Sequence, residues 1–324
     1  MGSTSKDEGD VDTPELPFSE GELQSRKSTP DFTVDGVRIP ERGLGRPPDQ
    51  SNAKSQLIAE YISLFQKVTG GGLYIDGFAA PQSRDHEEAW TARRVLEIQP
   101  PRLRTFWLCE LDKGGIAQLR QLKAQHHGNP KSRRVFVMEG DFNETIHGIL
   151  RNPRLTRKAA IFALLDQRNT ECHWATVKAI AARAGRMKIE QLYFFGSSWA
   201  HRMMKASKKP ERLAEIDLWW GDRSWTKMRD LSQLEMVQVL AKRFSDELGY
   251  RFVKPYEIHL KDSSKKVAFH LIHASDHEEA PKLMLRSYVK VCGARAGTPG
   301  DQQIAIPADI PQVEVPEGGP FKED

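Results

Sequence analysis

Cysteine is scarce in this chain. Only Cys109, Cys172 and Cys292 occur in 324 residues, far apart and odd in number. They cannot form a CxxC-type metal clamp or a disulfide framework, so a reducing, cytoplasmic compartment is expected. Long apolar runs are missing as well. None approaches the roughly 18 residues that span a bilayer, and the N-terminus has no signal-peptide core, so no membrane association is expected. Neither sign of charge dominates: a net charge of +4 permits nucleic-acid binding without arguing for it. Histidine is present ten times, yet not in a metal-ligand pattern. His126-His127 sit at a polar helix end, and His270 and His273 fall on opposite faces of a strand, so no metal site is expected.

Residues 1 to about 51 are rich in Gly, Ser, Thr, Pro, Asp and Glu, and residues 296–324 carry Pro299, Pro307, Pro311, Pro316 and Pro320 with a run of acids. Such segments bury too little apolar surface to offset their ordering entropy, and disordered tails are expected there. The folded body is expected over 52–295, long enough for one large core.

Within that body, apolar periodicity switches regularly between helix and strand spacing. Helices are expected over 54–67 (Leu57, Ile58, Tyr61, Ile62, Leu64 and Phe65, capped by Ser51 or Asn52), 86–98, 114–125, 143–151 and 174–184. Strands are expected over 73–78, 103–108, 133–138, 159–165 and 191–195. A mostly helical insertion over about 200–249 carries Trp219, Trp220 and Trp225, and Tyr250–Leu260 with Lys266–Ala274 read as a terminal hairpin. This alternation predicts an α/β fold with a Rossmann-like sheet of five parallel strands plus a C-terminal β-hairpin, helices on both faces. That is the element order of the class I methyltransferase sheet.

Ligands of open α/β sheets bind beyond the carboxyl ends of the strands. The first four strands here end in acids: Asp76, Glu110 with Asp112, Asp141 and Asp166. Each acid alone is as readily a turn or helix-cap residue. Four in succession along one edge make a constellation. Asp76 with the turn Gly77-Phe78-Ala79-Ala80 would lie near the amino-acid portion of S-adenosylmethionine. Glu110 would accept the ribose hydroxyls, and Asp141 beside Phe142 would take the adenine amino group while the ring packs on the base. Such acids suit a ligand bearing a sulfonium and an ammonium. They would repel a pyrophosphate, and the turn lacks the full G-x-G-x-x-G fingerprint, which disfavours NAD or ATP. Asp166 ends the fourth strand, where an Asp can accept a hydrogen bond from a target amine, and is the candidate catalytic residue. The basic cluster Lys205, Lys208, Lys209 and Arg212 reads either as a phosphate-binding surface or as a solvated helix face.

The same stretches resemble the three-Cys-motif partner protein family. They are Tyr74-Ile75-Asp76-Gly77-Phe78-Ala79-Ala80-Pro81-Gln82, Glu110-Leu111-Asp112, Gly140-Asp141-Phe142, Phe162 to Asn169 with Trp174-Ala175-Thr176, and Phe269 to His277. The resemblance spans about 52–292. It implies a methyltransferase-type fold, a partner protein carrying a radical-SAM-like three-cysteine motif, and a phage or mobile-element context of defence or nucleic-acid modification. The family pattern has glycine where this chain has Ala80 and Gln82, and a Pro-aromatic-Gly after the acid where this chain has Gln167-Arg168-Asn169. Two expectations therefore stand side by side: a SAM-dependent methyltransferase, acting on nucleic acid, and a non-catalytic methyltransferase-like scaffold that works through its partner.

Overall fold

The structure is a computed structural model and describes residues 33–34, 37–38, 49–81, 86–156, 158–183, 185–260 and 267–292. The tails expected over 1–51 and 296–324 fall almost entirely outside the described residues, as does Gln82. Thr33–Val34 and Val37–Arg38 pair as a two-residue antiparallel ladder.

Five βα steps follow one another along the body. Helix α1 (Asp49–Val68) leads into β1 (Leu73–Asp76), α2 (Thr91–Leu96) and β2 (Thr105–Glu110). Next come α3 (Lys113–His126), β3 (Arg134–Glu139), α4 (Phe142–Leu150), β4 (Ile161–Leu165), α5 (Trp174–Ala181) and β5 (Glu190–Phe195). A helical segment of α6 (Ser197–Ala206), α7 (Pro210–Trp220) and α8 (Gln233–Asp246) precedes the hairpin β6 (Phe252–His259) and β7 (Val267–Ser275), and α9 (Ala280–Cys292) closes the body. The sheet order is β3-β2-β1-β4-β5-β7-β6. The first five strands pair in parallel, and β7 runs antiparallel to both β5 and β6. The fold is therefore the mixed α/β, mostly parallel sheet of class I methyltransferase-like proteins, as the alternation of elements implied.

Two local departures from the sequence expectation have plain causes. Helix α1 begins at Asp49, so Ser51 and Asn52 lie inside its first turn. The helix expected over 86–98 breaks into a 3₁₀ turn, Glu87–Ala89, and α2. Trp90 between them adopts an extended conformation and donates its indole N–H to the Ala79 carbonyl at 2.6 Å.

The central strands are near-continuous apolar runs because both faces of a parallel sheet are covered; every residue of β1, β4 and β5 is buried. Alternate side chains sort into two cores. Ile75, Trp107, Ala163, Leu165, Tyr193 and Phe195 pack beneath α4 to α8, whereas Tyr74, Phe106, Leu108, Phe162, Leu164 and Phe194 pack beneath α1, α2, α3 and α9. Helix α1 is also fastened by polar bonds: Gln66 binds the Pro100 carbonyl and the amides of Arg102 and Leu103. Among the described residues no helix is long and apolar enough to cross a membrane. All three cysteines are free, and Cys109 and Cys172 are buried.

The helical segment is clamped to α5 by one cation between two indoles. The Arg243 guanidinium lies 4.2 Å from the Trp174 ring and 4.8 Å from the Trp220 ring. It donates to the Trp220 carbonyl and to both oxygens of Glu247, whose carboxylate also accepts the Trp174 indole N–H. Gly221 ends α7 at φ 103°, and a Cβ there would lie 2.6 Å from Trp174 Cδ1. Gly221→Ala adds a left-handed backbone penalty to that overlap, and should lower stability by about 2 kcal/mol or more in urea titrations.

Candidate functional site

The strand order reverses between β1 and β4, so the loops leaving these two neighbours diverge at their carboxyl ends, the place where open α/β sheets take ligands. Asp76 ends β1 and is 1% exposed. It accepts the Tyr74 hydroxyl at 3.0 Å and the Phe78 amide at 3.2 Å. Burial, and then the nearby Asp166 carboxylate, push its pKa up to about 7, against the lowering effect of those two hydrogen bonds. Burial and the Asp76 charge likewise raise the Tyr74 phenol.

Asp166 follows β4 and meets a different partner. Lys54, 3% exposed on α1, places its ammonium 2.8 Å from Oδ1 and 2.7 Å from Oδ2. Phe194 and Phe269 flank the same ammonium, with ring centroids at 5.1 and 5.6 Å. Sequence reasoning missed Lys54, although a signal was present. It precedes Leu57, Ile58 and Tyr61 by three, four and seven residues, which places it on the buried stripe of α1.

The turn after β1 is tightly packed. The Glu110 carboxylate, at the end of β2, accepts the amides of Leu111 and Asp112 at 2.9 Å each and that of Ala80 at 3.2 Å. A carboxylate has about four acceptor positions, so one is left for a further donor. Ala79 is buried and donates to the Cys109 carbonyl. Gly115 in α3 makes room for Ala80, whose Cβ lies 2.6 Å from where a Cβ on Gly115 would stand. The Phe142 ring is 3% exposed and turned onto Gly77, where an added Cβ would meet it at 2.8 Å; it also meets Phe78 edge-on, at 5.6 Å between centroids.

Asp112 and Asp141 sit on the rim as helix N-caps. Asp112 accepts the Gly115 amide at 2.9 Å, and Asp141 accepts the amide and side-chain N–H of Asn143 at 2.8 Å each. Asp76, Gly77, Phe78, Ala79, Glu110 and Phe142 thus meet around one turn, Asp166 lies beside Asp76, and the two capping acids stand further out.

The loop after Asp166 is held from both sides. Gln167, 1% exposed, donates to the Phe194 carbonyl and accepts the Cys172 amide. Asn143 binds the Glu171 carbonyl, the His173 amide and the Thr176 hydroxyl. Trp174 lies in the Arg243 clamp, and Trp199 lies under Arg212. His270 and His273 point to separate partners, Ser197 and Glu190.

A different depression, of about 600 Å³, lies before β5 and is lined by Lys178, Arg183, Arg186, Lys188, Glu247 and Asp276. It contains none of the strand-end acids.

No family model matches the chain, and no curated protein does. Solved structures do. TYW2 of M. jannaschii in complex with AdoMet is 11% identical, with a TM-score of 0.35, covering 70% of this chain and 75% of that one. The spermidine synthase of Thermotoga maritima is 12% identical, with a TM-score of 0.37, covering 83% and 72%. Protein LPL1258 of Legionella pneumophila is 10% identical, with a TM-score of 0.42, covering 77% and 95%. Scores of this size carry no argument for function, and the fold rests on strand order and pairing.

Two expected outcomes test this geometry. An unfolded aspartate loses its proton near 3.8, whereas folded Asp76 keeps it to about 7. The native state therefore loses stability relative to the unfolded chain as pH rises through that window, at ~1.4 kcal/mol per pH unit. Asp76→Asn escapes this loss, so its urea-measured stability relative to wild type should improve by about 2–3 kcal/mol between roughly pH 5 and pH 7. A gap that does not vary with pH would mean that Asp76 is ionised throughout. Separately, Lys54→Met leaves the partly buried Asp166 without its cation and should cost about 2 kcal/mol. Adding Asp166→Asn should recover much of that, whereas strictly additive losses would show that the pair is not coupled.

Proposed function

We propose that this chain is a SAM-binding, methyltransferase-like protein of the three-Cys-motif partner type, with the crevice between β1 and β4 as its cofactor site. The observation that carries the reading is the buried Asp76 carboxyl, held near neutral pKa beside Asp166 and close to Glu110. A cationic ligand entering such a crevice draws Asp76 into its ionised form and removes the cost of its isolation. The donor set fits: the Asp76 carboxyl would suit a cationic group of the cofactor, and the remaining acceptor position of Glu110 would suit a ribose hydroxyl. When bound, the cofactor supplies an electrophilic methyl group. The chain's own part is orientation, with Asp166 accepting a hydrogen bond from the target amine while the Gln167 and Asn143 bonds keep its loop in place. The sequence resemblance supports nucleic acid as the methyl acceptor, a three-cysteine radical-SAM-like protein as partner, and a place in phage or mobile-element defence or modification.

A second reading, a scaffold without turnover, has its own support. Lys54 holds both oxygens of Asp166, and the Phe142 ring covers Gly77. The two readings share the cofactor site and differ in whether Asp166 meets a substrate.

Calorimetric titration with S-adenosylmethionine should give saturable binding near pH 8 that weakens as pH falls below about 7, where Asp76 takes up its proton. Glu110→Ala should weaken it at least ~10-fold, the loss of a charged hydrogen-bonding partner. Silence across this pH range would end the cofactor reading. Binding without methyl transfer to any oligonucleotide, with or without the three-cysteine partner, would favour the scaffold.

A further inference from the structure

A basic strip runs along the end of α6 and the start of α7. Residues 202–212 carry Arg202, Lys205, Lys208, Lys209 and Arg212 against one acid, Glu211. Arg212 pairs with Glu215, so the uncompensated charge of the strip rests on its lysines. Lys205, Lys208 and Lys209 are exposed and have no ion-pair partner among the described residues. They cluster where α6 ends and α7 begins, and the positive end of the α7 dipole adds to their field.

This strip is tied to the crevice. Arg212 donates to Thr170 Oγ1 at 3.4 Å and lies over the Trp199 ring at 5.7 Å. Thr170 belongs to the loop that leaves Asp166, and Arg168 in the same loop adds another exposed cation. Trp199 is partly exposed, with its ring edge-on to Trp219. Charge of opposite sign therefore separates over a short path: carboxyls inside, cations and one indole on the rim.

We infer that this strip is a nucleic-acid surface, on which Lys205, Lys208 and Lys209 take backbone phosphates and the Trp199–Arg212 pair offers a plane to an unpaired base. The acids repel a phosphate chain from the crevice and the rim attracts it, so the backbone stays outside while a neutral base can approach Asp166. Stacking of bases on aromatic rings and guanidinium planes is the sequence-tolerant part of single-strand binding. The inference assigns a docking surface to the acceptor of the methyl-transfer reading and rests on that reading for the role of Asp166. The surface itself is measurable without any cofactor.

Fluorescence anisotropy of short labelled single-stranded and duplex oligonucleotides with the full chain is the test. Binding should be saturable and fall steeply between about 50 and 200 mM salt. The triple variant Lys205→Glu, Lys208→Glu, Lys209→Glu should lose at least ~10-fold in affinity and flatten the salt slope by about 2, the loss of that many or more phosphate contacts. Trp199→Leu should weaken the single strand more than the duplex. Three results would overturn the inference: no binding at the low-salt end, a triple variant that binds like wild type, or equal affinity for a polyaspartate of matched charge, which would point to an acidic protein instead. Calorimetry with S-adenosylmethionine keeps the two ideas apart. Oligonucleotide binding by a chain silent toward that ligand would remove the methyl-transfer reading and leave the surface.

Discussion

Two carboxyl groups stand side by side at the ends of adjacent strands, Asp76 fully buried and Asp166 partly so. Neither can stay charged and unpaired in so dry a place, because an isolated buried charge costs several kcal/mol. The two solve the problem differently. Asp76 holds its proton to about pH 7, while Asp166 draws the Lys54 ammonium out of solvent. That second solution reaches well beyond the crevice. Lys54 lies near the start of α1, so the ion pair pins this helix over the carboxyl edge of the sheet, and the Phe194 and Phe269 rings shelter the cation.

The opposite end of β5 shows the same constraint met by hydrogen bonds alone. Glu190, buried at the first residue of the strand, accepts from the Tyr61 hydroxyl, His273 Nε2 and the Ser275 hydroxyl. Helix α1 is thus held at Lys54 and again at Tyr61, seven residues later, by charges that the sheet cannot leave unpaired. On the other face the Arg243 guanidinium between Trp174 and Trp220 fixes the helical segment. Buried ion pairs in general add little net stability over an apolar replacement of similar shape, whereas each of these contacts ties a helix to one place on the sheet.

The turn after β1 shows how packing narrows chemistry. Ala80 and Gly115 fit together, and Phe142 fits Gly77, each pair with no room for another methyl group. Glu110 adds three amide bonds to the same turn. The result is a stiff rim in which Asp76 and the remaining acceptor position of Glu110 are oriented before any ligand arrives, which lowers the ordering cost of binding. The exposed lysines of the α6–α7 strip, by contrast, stay hydrated and adaptable.

Much of the architecture could be read from the chain itself, because strand and helix periods and the apolar runs of buried parallel strands depend only on residue type and spacing. The five strands, the hairpin, the helical segment after β5 and the acids at the strand ends follow from that; the closing helix α9 is not among those expectations. Partnership could not be read, because it depends on distances across the sheet. Lys54 and Asp166 are 112 residues apart, and nothing local in either stretch names the other. The capping roles of Asp112 and Asp141 are local and legible, whereas the inward turn of Phe142 and the raised pKa of Asp76 arise only once the strands are neighbours. Residue pattern determined the layers; burial, which is a property of the assembled sheet, decided which acids carry charge and which side chains they face.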